Sequence, residues 1–84
     1  MSRVGEVLRA AHDGRVEALF VRRGAQRWGK FAVEKRKAEE HSEAQPGDQD
    51  LLDLAATQTL MMGGTVFVVD GVPGSGDLAA VVRY

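Results

Sequence analysis

The sequence predicts an α/β domain, with a mixed sheet of about four strands covered by helices. Three observations lead there. Asp48 to Asp70 reads as one amphipathic helix, a double-glycine stop at Gly63-Gly64 and one apolar strand. Upstream, Arg15 to Val21 alternates between polar and apolar residues and then becomes continuously apolar, as strands do. Downstream, Gly71 to Asp77 is too short for a helical crossover before the apolar segment Leu78 to Tyr84, so that last strand returns antiparallel.

At 84 residues, 44% hydrophobic and 27% charged, the chain is one small domain spanning residues 1–84. It contains no cysteine, which excludes a disulfide framework and a thiolate zinc site and makes the cytoplasm the default location. Arg3, Glu6, Arg9 and Asp13 interrupt the first apolar positions, so no signal core or membrane span is expected there.

In chain order, Val4, Val7, Leu8 and Ala11 form one helical stripe, with Ser2 as the expected N-cap and Asp13-Gly14 as the stop. Arg15 to Val21 follows as a strand expected to be buried on both faces at its end. Gln26 to Val33, which carries Trp28 and Phe31, reads as a second strand near a sheet edge, where its basic residues discourage edge pairing. Glu34 to Glu40 has good helix formers but no apolar stripe, and is expected to be an exposed hairpin or frayed turn. His41 to Gly47 then serves as a linker.

Asp48 is the expected N-cap of the central helix, whose stripe is Leu51, Leu52, Ala55, Ala56, Thr59 and Leu60. Asp50 and Asp53 complement the helix dipole. Thr65 to Val69 is expected to be the innermost strand of the sheet, parallel to the strand from Arg15.

Charge is unevenly laid out. Arg22 to Lys37 holds seven basic residues (Arg22, Arg23, Arg27, Lys30, Lys35, Arg36 and Lys37) against one acid, whereas Glu39 to Asp53 holds six acids and no Lys or Arg. With Trp28, those seven cations are the candidate surface for a partner or for RNA, because an aromatic among arginines can stack bases and hold phosphates. The bland alternative is two solvated faces that neutralise each other around an edge-packed Trp28.

Other constellations carry less. Gly71 to Asp77 has the glycine spacing of a phosphate-binding P-loop, but Asp77 and Leu78 stand where lysine and Ser or Thr are needed. No nucleotide or other cofactor is expected. His12 and His41 have no paired ligand spacing, the acids lack calcium-loop spacing, and no serine sits in a nucleophile elbow, so neither a metal site nor an enzyme is expected.

The run EVLRAAHDGRVEALFV, the RWGKF segment, QPGDQDLLDLAA, Gly63-Gly64 before a strand, and Ala79-Ala80 with a terminal Arg83-Tyr84 occur in an order that covers nearly the whole chain. In these it resembles the C-terminal domain of the bacterial relatives of archaeal and eukaryotic class-one peptide-chain release factors, a domain type that also ends Pelota. The resemblance implies a three-layer α/β/α domain of the kink-turn-binding ribosomal-protein type, used for contacts with a translational GTPase. It implies a non-enzymatic protein-binding module in translation termination or ribosome rescue, in contact with a GTPase or the ribosome. The alternatives are an RNA-binding module built on the basic stretch and a structural homodimer. Gly63-Gly64 precedes Thr65 and a strand, so it is not the catalytic Gly-Gly-Gln loop, which the family carries in another domain. The family domain begins with further helix before the Val4 segment, so the chain reads as a truncated or stand-alone version.

Overall fold

A computed structural model describes residues 1–72, 74 and 76–84. Its elements are α1 (Val4–His12), β1 (Val16–Arg22), β2 (Trp28–Ala32), β3 (Lys37–His41), β4 (Gln49–Asp50), α2 (Leu51–Met61), β5 (Thr65–Val69) and β6 (Leu78–Val82). The α/β class is as the sequence predicts. The strands, however, form two three-stranded sheets, ordered β5-β1-β6 and β3-β2-β4, instead of one sheet of about four.

The first sheet is mixed in the expected sense. β1 pairs parallel with β5, with Leu19 opposite Val66, and antiparallel with β6, with Leu19 opposite Ala80. β1 is the innermost strand and β5 lies at an edge, which corrects the placement expected for Thr65 to Val69. β6 lies on the far side of β1 from β5, and no described strand pairs with the outer side of β5.

Both helices pack on the same face of this sheet, where Val7, Leu8, Ala11, Leu51, Leu52 and Ala55 meet Val16, Leu19, Leu78 and Ala80 in one buried core. The second sheet closes over the helices, with α1 against β3 and α2 against β2. The layers therefore run sheet, helices, sheet, and no described element covers the other face of the first sheet. That differs from the three-layer α/β/α arrangement and from the expectation that β1 is buried on both faces at its end. Two helices of nine and eleven residues are used up on one side.

Local signals fare unevenly. Asp13 and Gly14 (φ +74°) end α1 as expected, and Gly63 (φ +87°) ends α2. Ser2 is not the N-cap of α1. Arg3 holds that position without a side-chain bond, and before it the Met1 carbonyl accepts from Ala80 N–H at 2.7 Å. Asp48 is likewise replaced as a cap by Asp50, whose carboxylate accepts from Leu52 N–H and Arg27 N–H, both at 3.1 Å. The α2 stripe is buried at Leu51, Leu52, Ala55 and Thr59, but Leu60 is 61% exposed because, at about 100° per residue, it lies round the helix from that buried face.

Glu34 to Glu40 belongs to a hairpin, as one of its two expected forms. β2 pairs antiparallel with β3, and β2 is the middle strand of its sheet, where an edge was expected. The turn places Arg36 at φ +55°, a left-handed conformation that favours glycine. Asp13 compensates by accepting two hydrogen bonds from the Arg36 guanidinium at 2.9 and 2.7 Å, and the Arg36 carbonyl accepts from Arg9 at 3.2 Å.

Candidate functional site

The basic stretch does not form one cationic surface. Trp28 is half-buried at the start of β2, opposite His41 on one side and Asp50 on the other. Five of the seven cations are matched with carboxylates of the same chain. Arg22 and Arg27 share Asp77 at 2.7 Å each, and Arg27 also reaches Glu40 at 2.8 Å. Arg23 meets Asp70 at 3.0 Å, Lys30 meets Asp48 at 2.9 Å, and Arg36 meets Asp13. The Arg27 guanidinium, followed by that of Arg22, holds the Asp77 carboxyl below the usual carboxylate range.

Among the described residues only Lys35 and Lys37 of the seven have no carboxylate partner. They border a shallow hollow of about 460 Å³ over Phe31 and Ala38. Two of these pairs join the basic block to the acidic one, Arg27 with Glu40 and Lys30 with Asp48. The other pairs use Asp13, Asp70 and Asp77, which lie outside both blocks.

Asp77 is also the last residue of the glycine motif Gly71 to Asp77. Two residues of that glycine motif, Pro73 and Ser75, lie outside the described residues. The carboxylate at the place a P-loop gives to lysine is engaged by two arginines.

His41, expected in a linker, ends β3 and is bonded on both ring nitrogens. Nδ1 lies 2.7 Å from Asp48 Oδ2 and Nε2 lies 2.9 Å from Glu39 Oε1. The Asp48 side chain is fully buried, and it also accepts from Lys30 and from the backbone N–H of Gln45. This cluster pins the turn between β3 and β4 to the middle of the second sheet.

The Asp48 carboxylate, and secondarily that of Glu39, raises the pKa of His41 above its ordinary 6.5 by bonding the charged ring. Lys30, and then His41, hold Asp48 below its ordinary 3.8 against the cost of burial. The histidine contribution is therefore complete below about pH 6.5 and is lost as pH rises through the raised value. The aspartate contribution is complete above about pH 4 and is lost as pH falls through the lowered value. Thermal melts across pH are expected to fall by a few degrees between pH 6 and pH 8, and His41→Asn is expected to flatten that limb while leaving the acid limb in place.

The other notable surface is apolar. On the face of the first sheet away from the helices, the rings of Phe20 and Phe67 stack with centroids 5.1 Å apart and planes at 16°. Val69 and Ala79 flank them, and Val81, 50% exposed, sits opposite Ala18 on β6. Sequence reasoning missed this face, because an apolar run looks the same whether its second side is covered or open. The signal available was the count of helices, too few to cover two faces.

Among the described residues no group of three or more His, Asp and Glu side chains is arranged to hold a metal ion, and no helix is long and apolar enough to cross a membrane. In comparisons with known proteins, the chain matches no family model and no curated protein sequence.

Proposed function

We propose that the chain is a non-enzymatic binding module of the cytoplasm that acts through protein contacts, in the translation setting implied by its release-factor-like sequence, with a translational GTPase or the ribosome as partner. The observation that carries the choice of protein over RNA is the pairing of Arg22, Arg23, Arg27, Lys30 and Arg36 with carboxylates, beside an uncovered apolar sheet face. A phosphate backbone is gripped by free cations, and each ion pair already formed must be broken before its cation can serve. An apolar face with an aromatic pair suits a protein partner, since aromatic residues are enriched in the cores of such interfaces.

Tagged chain is to be recovered from native lysate, with and without ribonuclease and across salt concentrations. Co-purification of ribosomes or a translational GTPase is expected, with protein partners retained after ribonuclease at moderate salt. Val81→Lys, on the outer face of β6, is expected to reduce that recovery by about tenfold or more, while charge reversal at Lys35 and Lys37 leaves it unchanged. Recovery of bulk RNA alone, lost on reversing Lys35 and Lys37 and falling steeply with salt, overturns the reading in favour of the RNA alternative.

A further inference from the structure

The two edges of the first sheet are treated differently. The outer edge of β6 is occupied by the N-terminus, through Ala80 N–H to the Met1 carbonyl. No described residue pairs with the outer edge of β5. Its sequence, Thr65-Val66-Phe67-Val68-Val69, has no charge, no proline and no bulge, the devices by which edge strands avoid other chains. Arg23 N–H donates to the Val69 carbonyl at 2.7 Å, which turns the polar groups of Val69, Phe67 and Thr65 toward β1. By the alternation of a strand, those of Val66 and Val68 face outward.

We propose that two copies of the chain associate through β5, antiparallel about a two-fold axis at Phe67, into one six-stranded sheet. In that register Val66 faces Val68 of the second copy, and the outward N–H and C=O groups of both close four hydrogen bonds. Phe67 meets Phe67 across the axis in a non-hydrogen-bonded pair, where side chains come closest. The Phe20–Phe67 stack becomes a row of four rings on the open face.

On the other face, Val66 and Val68, with Leu52 and Ala56, line a hollow of about 220 Å³ beside α2 that comes to lie next to its symmetry mate. Val68 is 55% exposed in the single chain and gains cover there.

A second copy is the occupant because the edge is complementary to itself in charge. An uncharged strand brings no like charges together at the axis. The register that pairs Val66 with Val68 also places Asp70 opposite Gly64 of the other copy, one residue from its Gly63. The Arg83 guanidinium lies alongside Gly63, within 3.8 Å of where a Cβ would be, and has no ion-pair partner among the described residues. The Asp70 side chain is 89% exposed and bonded only to an exposed Arg23. Two symmetric Asp70–Arg83 pairs therefore close the ends of the interface.

This association does not depend on the role in translation, and its test uses the β5 edge whereas Val81→Lys probes the opposite edge strand. Sedimentation velocity over a concentration series is expected to show a species of twice the 9.1 kDa chain mass. Amide exchange at Val66 and Val68 is expected to slow as that species forms. Val68→Pro removes an outward N–H at an edge position that tolerates proline, and is expected to weaken association about tenfold or more with an unchanged circular dichroism spectrum. Phe67→Lys places like charges on the axis and serves the same purpose if the proline variant does not fold. Asp70→Arg is expected to weaken association, and adding Arg83→Asp to restore it. A wild-type chain that stays monomeric at millimolar concentration overturns the proposal, as does a dimer that persists in folded Val68→Pro or Phe67→Lys.

Discussion

A chain carrying Gly29→Ala is expected to lose about 3–5 kcal/mol of folding stability. A Cβ at Gly29 would run into the backbone carbonyl of Glu39 on β3 and come within 2.9 Å of Leu51 Cδ1. The first obstacle is backbone, and the second belongs to a side chain that is fully buried and has no open space to turn into. Gly29 is paired with Glu40 in the β2–β3 ladder, so the carbonyl can retreat only by opening the hairpin. Opening it also removes the support under His41 and Asp48. A domain of this size holds roughly 4–12 kcal/mol of total stability. Displacing backbone in a packed sheet costs about 3–5 kcal/mol, which consumes most of the lower half of that range. Urea denaturation followed by Trp28 fluorescence measures it. Gly71→Ala is the control, since nothing lies within 4 Å of a Cβ there, and its expected change is below about 0.5 kcal/mol. A Gly29→Ala chain as stable as that control would show that the two sheet strands are not packed as described.

What was legible in the sequence was local. The α1 stripe, the α2–Gly63 stop–β5 succession and the antiparallel return of β6 each follow from a few neighbouring residues and their preferred dihedral angles, whereas Glu34 to Glu40 reads equally as a hairpin or a frayed turn. What was not legible depends on which faces are occupied. Thr65 to Val69 is apolar on both sides, and periodicity cannot distinguish a helix on the second side from open space, so an edge strand of this composition reads as a central one. The ion pairs were hidden for a related reason. Arg27 and Asp77 are 50 residues apart, and nothing in either neighbourhood signals the other. The candidate surface Arg22 to Lys37 was thus visible as composition, while its neutralisation was visible only as structure. His41 shows the same limit on a smaller scale, since a strand ending seven residues before Asp48 brings the two together around a turn that read as a linker.

Leu51→Ala is expected to cost about 2–5 kcal/mol, because this side chain joins the two sheets. Leu51 is fully buried as the first residue of α2, and its N–H donates to the Arg27 carbonyl at 2.6 Å. Its side chain sits over Gly29, so truncation leaves a void between the start of the helix and the middle strand of the second sheet. The backbone bond to Arg27 and the Asp50 cap hold the helix start in place, which limits collapse into that void. The measurement is a lower urea midpoint at unchanged slope, and a fall in melting temperature of roughly 10–25 °C for that loss. Leu60→Ala, at the exposed end of the same expected stripe, should shift stability by less than about 0.5 kcal/mol. The double variant Gly29→Ala/Leu51→Ala separates the two obstacles to a Cβ at Gly29. Were Leu51 the main one, shortening it would relieve the strain and the double variant would match Leu51→Ala alone. The Glu39 carbonyl stays in the way, so the double variant is expected to be less stable than either single one.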